Sequence, residues 1–406
     1  MSITLEAARI LVQKFGGTSV ARDDVRQQAI ERIREAKRRG FLPVVVVSAM
    51  GRAGEPYATD TLLSLVAHYN GARDKRDIDL LMSCGELISI VVMAHELRQA
   101  GLPAAAMTGF QAGIVTDRNH GEALVRYVAV DRIGEILAEG KIPVIAGFQG
   151  VTENGDVTTL GRGGSDTTAV ALGAALQSAG VVIYTDVDGI LTCDPRLYPA
   201  ARTVPEVTYE EAGELSVEGA KVLHPRCVDL AAEFQVPLWV RSTQKVGGGT
   251  RVSSEMPKDA LEKTRVVTSV AAVPAVTQVR VAEQEASRRV QMFSALAEEA
   301  VSLDVINVTP GEVYFIVRAA QVRETTGLLD RLGLRYTSTP GCAKLSIVGV
   351  GMRGTPGVMA RIQKALWEAG VEVLHSTDSN ITISVLVQEA RVADGVAALH
   401  KEFGLG

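Results

Sequence analysis

The chain has 406 residues and a formal net charge of −5 at pH 7. This length exceeds what one hydrophobic core usually organises, so we expect two or three domains, and the acidic balance argues against a protein that binds nucleic acid. The four cysteines form no CxxC pair and no uninterrupted apolar run reaches the roughly 18 residues of a membrane span, so we predict a reduced, cytoplasmic protein without disulfides, a zinc site or a membrane span.

Short runs rich in β-branched residues alternate with longer helical patterns through the first 245 residues. These runs are apolar on both faces, which is typical of strands in a mostly parallel sheet that helices cover on two sides. They span residues 10–15, 43–50, 142–148, 181–187 and 236–242. The sequence therefore predicts an α/β domain in this part of the chain.

The stretch 247–264, GGGTRVSSEMPKDALEKT, has the small and polar composition of a linker. Beyond it, residues 303–317 and 371–385 place apolar side chains at matching positions, and each segment follows an amphipathic helical pattern. The matched pairs are Val305 with Val373, Ile306 with Leu374, Val313 with Ile381, Phe315 with Ile383 and Val317 with Val385. We interpret this as an α+β unit that occurs twice, with two unrelated small domains as the alternative.

The first predicted strand ends in QKFGGTSV, which places Lys14 beside a Gly-Gly turn. Ligands of open α/β sheets bind at the carboxyl ends of the strands, where glycines let backbone N–H groups approach phosphate oxygens. This turn matches neither GxxxxGK nor GxGxxG. Lys14 is therefore a candidate phosphate contact, and an ordinary strand-to-loop turn is the alternative.

A second glycine turn, GRGGSD, stands immediately before a helical pattern. Ser165 and Asp166 are residue types that cap the free N–H groups of a helix start, so we expect capping here with or without a ligand. Capping does not account for Arg162, and an arginine on a rigid turn is well suited to binding a carboxylate through two parallel hydrogen bonds. Because a helix start also favours negative charge, the turn is predicted to bind an anionic group.

Two further motifs carry acidic residues. MSCGELIS places Glu86 in an apolar helical region, where a glutamate is exposed, paired, or in contact with a ligand ammonium group. YTDVDGILTCDPR contains three aspartates without the regular spacing of a calcium loop. No motif resembles a hydrolase triad, so a reaction that needs no general base fits best. Phosphoryl transfer to a carboxylate is such a reaction, because the acceptor is already ionised at pH 7.

Six motifs in one order, KFGGTSV, VVVVSAMG, SCGE, GRGGSD, TDVDG with DPR, and GAKVLHPR, resemble those of the aspartate kinases of the amino acid kinase superfamily. The tail resembles their tandem ACT regulatory domains, and MGRAGEPYATDTLL resembles the monofunctional bacterial subgroup. The resemblance extends from about residue 9 to 404. It implies an amino acid kinase-like α/β catalytic domain over 9–246, a linker over 247–264, and two α+β, ferredoxin-like ACT domains over 265–338 and 339–406.

The resemblance implies that the chain transfers the γ-phosphoryl group of ATP, bound with Mg²⁺, to the β-carboxylate of L-aspartate. Lys14 would offset charge on the phosphates, and Asp166 would orient Lys14. Substrate contacts are implied for Glu86 with the ammonium group, for Arg162 with a carboxylate, and for Ser48, Thr59, Gly163 and Ser165. ATP contacts are implied for Lys14, Gly16, Gly17, Thr185, Asp186, Arg196 and Lys221. The chain has Leu191 where many members have a tyrosine, so no nucleotide contact is assigned there.

The ACT pair implies feedback inhibition by an amino acid made from the product of this reaction: lysine, threonine or diaminopimelate. Effector contacts are implied for Asp304, Asn307 and Thr377. Because ACT domains commonly pair across subunits, we expect a homodimer or a larger assembly.

Two alternatives stay open. Another kinase of the same fold would act on glutamate, acetylglutamate, carbamate or a nucleoside monophosphate, but it should lack SCGE and the double ACT tail. A non-catalytic amino-acid sensor would keep the ACT domains and lose the kinase residues, whereas Lys14, Glu86, Arg162 and Asp166 are all present.

Overall fold

The computed structural model of the protein describes residues 9–69, 74–219, 222–262 and 264–405. These residues form two compact units. The first contains the described residues within 9–190, 203–216 and 222–256, and the second contains those within 191–202, 217–219 and 257–405. Two short segments inside the predicted catalytic domain, 191–202 and 217–219, therefore belong to the second unit. The predicted domain boundaries themselves remain predictions.

Strands and helices alternate through the first unit. Its strands are β1 (Ile10–Phe15), β2 (Leu42–Val47), β3 (Ala104–Met107), β4 (Ile114–Thr116), β5 (Val125–Val128), β6 (Ile142–Ala146), β7 (Gln149–Thr152), β8 (Val157–Thr159), β9 (Gly180–Thr185), β10 (Glu206–Thr208), β11 (Leu238–Ser242) and β12 (Thr250–Ser253). Its helices are α1 (Gly17–Val20), α2 (Asp23–Arg38), α3 (Thr59–Ser64), α4 (Lys75–Gln99), α5 (Asp131–Ala138), α6 (Gly164–Ala175), α7 (Tyr209–Val217) and α8 (Pro225–Glu233).

The described residues of this unit form an eight-stranded sheet in the order β10-β12-β11-β9-β1-β2-β6-β3. All neighbouring strands are parallel except β11 and β12. The five predicted strands are β1, β2, β6, β9 and β11, which occupy adjacent positions in the sheet. Val44, Val45, Val46 and Val47 are fully buried, because helices cover both faces of a parallel sheet. The predicted α/β fold with a mostly parallel sheet is therefore confirmed.

Three of the five predicted runs, those of β2, β6 and β9, extend beyond the strands at their carboxyl ends. Residues 48–50 were expected to continue β2, but the strand ends at Val47. Beyond that point the backbone bonds to α4: the Ser48 carbonyl accepts from Ser89 Oγ at 2.8 Å, and the Ala49 N–H donates to Glu86 Oε1 at 2.9 Å. An apolar run alone does not reveal this change of partner.

Helix α4 is long and apolar enough to cross a membrane by length and composition alone. In the structure its residues Ile90, Met93 and Leu97 belong to the hydrophobic core of the first unit. The helix also carries two buried carboxylates, Asp79 and Glu86. We interpret it as a core helix of the α/β unit.

A smaller sheet in the first unit has the strand order β5-β4-β7-β8 within the described residues. Strands β7 and β8 are antiparallel, and β8 leads directly into the GRGGSD turn and then α6. The smaller sheet thus carries the turn that lines a cavity with the ends of β1, β2 and β6.

The second unit is built around long antiparallel strands. Its strands are β13 (Ser269–Ala282), β14 (Asp304–Thr309), β15 (Glu312–Arg318), β16 (Arg335–Val348), β17 (His375–Asp378) and β18 (Thr382–Gln388). Its helices are α9 (Lys258–Leu261), α10 (Ala286–Glu298), α11 (Val322–Arg331), α12 (Val358–Glu368) and α13 (Val392–Glu402). The described strands form one six-stranded sheet in the order β14-β15-β13-β16-β18-β17. Strand β12 and helix α9 both lie within the predicted linker 247–264.

Strands β13 and β16 each contribute to two hydrophobic cores. The first half of β13 pairs with the second half of β16, and its second half pairs with β15 and the first half of β16. Val270 accordingly packs with Leu345 and Ile347, whereas Val279 and Val281 belong to another cluster. Two α+β halves therefore share two continuous strands.

The predicted repeat holds better in its second strand than in its first. Val313, Val317, Ile381 and Val385 are all buried, as the matched positions require. The matched positions Ile306 and Leu374 differ in burial, because Ile306 is 48% exposed whereas Leu374 packs against a hydrophobic cluster. Strand β17 begins only at His375, so Leu374 lies before it.

Candidate active site

A cavity of about 540 Å³ opens in the first unit, where β1, β2 and β6 end. Its walls come from segments far apart in the sequence: the turn after β1, the loop after β2, helices α3 and α4, and the GRGGSD turn. The lining residues are Lys14, Gly17, Ser48, Ala49, Gly51, Thr59, Asp60, Leu63, Met82, Glu86, Gly121, Glu122, Phe148, Gly161, Arg162, Gly163, Gly164, Ser165 and Asp166. All eight predicted catalytic and substrate-binding residues thus line this cavity.

Lys14 and Asp166 form an ion pair on the cavity wall. Lys14 Nζ lies 2.6 Å from Asp166 Oδ1, and each side chain is 12% exposed. Lys14 comes from β1 and Asp166 from the first turn of α6, so the parallel sheet brings together residues 152 positions apart. Partial exclusion of water strengthens the attraction and fixes the lysine in position. The expected proximity of the two residues is confirmed, and their catalytic roles remain predictions.

The residue at the N-cap of α6, within the GRGGSD turn, is not one of the two that were expected to cap it. Helix α6 begins at Gly164, and Gly163 occupies the N-cap with a φ of 69° and no side-chain capping bond. A side chain on Gly163 would bring its Cβ to within 2.2 Å of His224 Cβ, so only glycine fits both the backbone and the space. The expectation that Ser165 and Asp166 cap this helix is wrong, because both lie inside it and Asp166 pairs with Lys14.

Arg162 stands on the exposed side of this turn and lines the cavity. No carboxylate among the described residues forms an ion pair with it, in contrast to Lys14. Its guanidinium group is therefore available to an anionic ligand with five N–H donors in a planar arrangement.

Glu86 is almost completely buried, with 2% of its surface exposed, although it lines the cavity. Its Oε1 accepts the hydrogen bond from the Ala49 N–H, whereas Oε2 has no hydrogen-bond partner among the described residues. Burial raises the pKa of the Glu86 carboxyl from 4.5 to about 8, and the hydrogen bond from Ala49 opposes only part of this shift. A buried, unpartnered carboxyl oxygen beside a cavity is suited to receive a cationic group.

Small residues on the cavity wall allow backbone segments to approach one another closely. Ser48 and Thr59 lie on the cavity wall at the end of β2 and the start of α3. Gly17 also lines it, and a side chain there would place Cβ 2.7 Å from the Ala49 carbonyl oxygen. The Gly16 N–H donates to the Tyr184 carbonyl at 3.3 Å, which ties the turn after β1 to β9.

The predicted ATP contacts come from several segments of the chain. Thr185 and Asp186 lie at the end of β9, where Asp186 pairs with Arg52 at 2.5 Å. Arg196 belongs to the second unit and pairs with Asp194 at 2.6 Å. Lys221 lies outside the described residues.

The predicted effector residues lie on two strands of the second unit. Asp304 and Asn307 are on β14, Thr377 is on β17, and all three are exposed. Asp304 forms an ion pair with Lys344, which is itself buried and also pairs with Glu218 at 2.7 Å.

Several cavity residues were not identified from the sequence. Phe148 lines the cavity with a φ of 69°, which is a strained conformation for an aromatic residue. Gly121 and Glu122 reach the cavity from the loop before β5, and Met82 reaches it from α4. The local sequence around Phe148, GFQG, has a glycine on either side of Phe148 and Gln149. This pattern indicates a turn but does not show that the turn lies at the cavity.

Among the described residues, no group of three or more histidine, cysteine, aspartate or glutamate side chains is arranged to hold a metal ion. The charged groups of the cavity are a lysine paired with an aspartate, an arginine and a buried glutamate, together with Asp60 and Glu122. This set can bind a ligand that carries both negative and positive charge.

Sequence models place both parts of the chain in known families. The model described as the amino acid kinase family matches residues 9–242, and one described as the ACT domain matches residues 345–403. The chain is 45% identical over 403 residues to Aspartokinase 1 of Bacillus subtilis (strain 168), covering 98% of this chain and 99% of that protein. It is 42% identical over 404 residues to the aspartokinase of Geobacillus stearothermophilus, covering 98% and 97%.

Solved structures show the same fold. One is E. coli aspartokinase III in complex with lysine and aspartate (T-state), with a TM-score of 0.79, 24% identity, and 98% and 100% of the two chains covered. Another is the same enzyme in complex with aspartate and ADP (R-state), with a TM-score of 0.74, 24% identity, and 97% and 99% covered.

Proposed function

Since the chain belongs to the aspartokinases of the amino acid kinase family, we propose that it transfers the γ-phosphoryl group of ATP to the β-carboxylate of L-aspartate, giving 4-phospho-L-aspartate and ADP. The observation that carries this proposal is the cavity that combines the Lys14–Asp166 pair, Arg162 and Glu86. The full-length similarity to proteins named aspartokinase supports the same substrate.

The charges of the cavity complement those of aspartate. Aspartate has two carboxylates and one ammonium group. Arg162 can bind one carboxylate through two hydrogen bonds, and Glu86 can accept from the ammonium through its unpartnered Oε2. The remaining carboxylate would then be directed to the phosphoryl group, near Lys14. Ser48, Thr59, Gly163 and Ser165 would complete the walls of this pocket.

The chemical step needs charge neutralisation and alignment. A β-carboxylate oxygen attacks the γ-phosphorus, a new P–O bond forms, and the bond to the oxygen that bridges the β- and γ-phosphorus breaks, so that ADP leaves with that electron pair. The acceptor is ionised at pH 7 and has no proton to lose. Lys14, held by Asp166, would offset the negative charge as it shifts from the γ-phosphoryl oxygens to ADP.

ATP would enter as its Mg²⁺ complex, with the metal as part of the substrate. The backbone N–H groups near Gly16 and Gly17 would meet the phosphates. Thr185, Asp186, Arg196 and Lys221 are the proposed contacts with the rest of the nucleotide. The E. coli aspartokinase III structure named for its complex with aspartate and ADP supports a site for aspartate and a nucleotide in this fold.

The direct test is to trap the acyl phosphate with hydroxylamine. The protein is incubated with Mg·ATP and either aspartate, glutamate, acetylglutamate, carbamate or a nucleoside monophosphate, and the hydroxamate or ADP formed is measured. We expect hydroxamate with aspartate and little with glutamate. A preference for another acceptor would identify a different kinase of the same fold, and no product with any acceptor would favour a non-catalytic amino-acid sensor.

The raised pKa of Glu86 predicts a pH-dependent affinity for aspartate. In the empty site the carboxyl is mostly neutral at pH 7, because its pKa is about 8. Binding of the substrate ammonium favours the ionised form, so one proton is released and KM for aspartate should fall as pH rises from 6.5 to 8.5. The slope should approach tenfold per pH unit well below pH 8. Initial rates at several pH values measure it, with KM for ATP as the internal reference.

A variant separates this effect from other titrations. Glu86→Gln cannot ionise, so its KM for aspartate should be raised and should lose most of the pH slope. The raised pKa of Glu86 also affects stability. The carboxyl loses its proton near pH 4.5 in the unfolded state and near pH 8 in the folded state. Ionisation of Glu86 therefore lowers the free energy of unfolding as pH rises between those values. Equal KM slopes in wild type and Glu86→Gln would contradict the assignment.

We further propose that the second unit provides feedback control. The product would lead to lysine, threonine, methionine and diaminopimelate, and lysine, threonine or diaminopimelate would be the inhibitor. Asp304, Asn307 and Thr377 are the proposed contacts, in a cytoplasmic homodimer or larger assembly. The matched ACT domain and the E. coli aspartokinase III structure named for lysine and a T-state support such control.

Asp304 offers a test of this control. An effector ammonium group would bind Asp304 in place of Lys344. Asp304→Ala would remove this contact, so inhibition should weaken about 5- to 150-fold, the usual range of coupling between sites. Inhibition curves with each of the three amino acids measure the shift, and kcat without effector should stay near that of wild type. Glu299→Ala is the matched control, because that carboxylate is 54% exposed against 53% for Asp304 and also pairs with a basic residue. Unchanged inhibition in Asp304→Ala would contradict this site.

A further inference from the structure

Asp79 is a buried carboxylate that lies near the beginning of α4 and does not line the cavity. Its side chain is 0% exposed, so its charge is stabilised only by what bonds to it. Oδ2 accepts from His120 Nδ1 at 2.9 Å, from the Gly121 N–H at 3.0 Å and from the Thr159 N–H at 3.0 Å, and Oδ1 accepts from Thr159 Oγ1 at 2.5 Å. Four hydrogen bonds to one buried carboxylate form a rigid junction, since each would be costly to leave unmade.

The donors belong to two segments that continue directly into the cavity wall. His120 and Gly121 precede Glu122, and Gly121 and Glu122 both line the cavity. Thr159 is the last residue of β8 and stands three positions before Arg162. Asp79 therefore holds both segments against α4.

The two segments are also bonded to each other. The Ala123 N–H donates to the Thr159 carbonyl at 2.9 Å. Arg226 donates to the Leu160 carbonyl at 2.8 Å and to the Ala123 carbonyl at 3.0 Å. The loop and the end of β8 thus form one block, and Asp79 bonds that block to α4.

Helix α4 carries Glu86 seven residues beyond Asp79, which corresponds to about 10 Å along a helix axis. The helix is continuous between them, so Asp79 and Glu86 keep a fixed separation. The block bonded to Asp79 leads to Arg162, which also lines the cavity. Asp79 is therefore connected to both Glu86, through the helix, and Arg162, through the end of β8.

We propose that Asp79 is a positioning residue for substrate selection, which fixes the spacing of Arg162 and Glu86 so that the cavity accepts a four-carbon acidic amino acid in preference to a five-carbon one. The inference rests on the proposed function and assigns Asp79 no contact with substrate. Its consequence is that loosening this junction changes which acceptor is phosphorylated, whereas a purely structural carboxylate would change stability alone.

The experiment uses Asp79→Asn in the full chain. Asparagine keeps the shape but carries an NH₂ group where Oδ1 or Oδ2 accepts, so at least one of the hydrogen bonds is lost. We expect KM for aspartate to rise about 10- to 100-fold, since small misplacements of binding groups cost up to about that much. KM for ATP should stay within about twofold, and the ratio of kcat/KM for aspartate over glutamate should fall by about tenfold or more.

Thr159 gives a second test if Asp79→Asn does not fold. Thr159→Val removes the Oγ1 bond and should shift the same two quantities in the same direction, and Thr159→Ser should restore them. Glu211→Gln is the matched control: Glu211 is a carboxylate in α7 of the same unit, is 0% exposed and accepts from the Thr208 N–H at 3.0 Å. It should lower Tm without changing KM for aspartate or the aspartate-to-glutamate ratio.

The outcomes separate the two proposals. Wild-type protein that forms no aspartate hydroxamate contradicts the proposed function and, with it, this inference. Wild-type activity on aspartate with unchanged KM and selectivity in Asp79→Asn overturns the positioning role and leaves the function standing. A lower Tm in both Asp79→Asn and Thr159→Val, with an unchanged ratio of kcat/KM for aspartate over glutamate, would also overturn the positioning role.

Discussion

Replacing Lys14 with methionine is expected to lower kcat about 1,000-fold or more, because the variant lacks the cation that would offset charge on the transferred phosphoryl group. Removing one neutral donor from a charged transition state costs about 100- to 1,000-fold, and Lys14 supplies a full charge in a partly dry site. Methionine keeps a similar length and packing. The rate of ADP release and the yield of aspartate hydroxamate under saturating substrates measure the effect.

The control must separate catalysis from folding, since Lys14→Met leaves Asp166 unpaired at 12% exposure. An unpaired carboxylate there should lower Tm, and the double variant Lys14→Met/Asp166→Asn should recover Tm without recovering kcat. Lys141→Met is the surface control, because Lys141 is 45% exposed and pairs with Glu139, two residues before it. If Lys14→Met kept kcat within tenfold of wild type, Lys14 would not neutralise charge in the chemical step.

Arg162→Ala is expected to reduce kcat/KM for aspartate about 30- to 5,000-fold, which corresponds to a loss of about 2 to 5 kcal/mol. The substrate carboxylate would lose its bidentate partner in a cavity that also holds Glu86 and the Asp166 carboxylate. Because no carboxylate of the described residues pairs with Arg162, the variant should keep the wild-type Tm. Steady-state kinetics with varied aspartate and saturating ATP give the change.

Two further variants test the geometry of this contact. Arg162→Lys keeps the charge but loses the planar pair of donors, so its kcat/KM should lie between wild type and Arg162→Ala. Arg132→Ala removes an arginine that is 60% exposed and pairs within its own helix, so it should behave as wild type. Near-normal kcat/KM for aspartate in Arg162→Ala would refute the assignment of Arg162 to the substrate carboxylate.

The sequence was sufficient to predict five of the eight strands of the main sheet and the place of one motif at their ends. The strands around Val12, Val45 and Ile145 are apolar on both faces, and parallel strands with such a pattern must end at one edge. That rule places KFGG at the carboxyl ends of the main sheet without any structure, but it does not reach GRGGSD, which follows β8 of the smaller sheet. The contact of Lys14 with Asp166 then depends on which helix follows β8, which the resemblance supplied and the strand pattern did not.

Other features depend on backbone paths that no local pattern contains. Gly163 rather than Ser165 stands at the N-cap of α6, because the space beside His224 excludes a side chain. Glu86 could be exposed or buried on sequence grounds, and only the packing of α4 shows that one carboxyl oxygen is left without a partner. Asp79 gave no signal, since a single acid near a helix start is ordinary.

The two long strands of the second unit limit how its parts can be exchanged between relatives. In the half that contains α12 and α13, the second half of β16 pairs with residues 269–273 of β13. These residues come before the other half of the unit in the chain. A junction at the predicted boundary between 338 and 339 would divide β16 and pair Leu345 and Ile347 with a β13 from the other parent. The regulatory region is therefore a single cassette for recombination, and a chimera should inherit residues 269–405 from one parent.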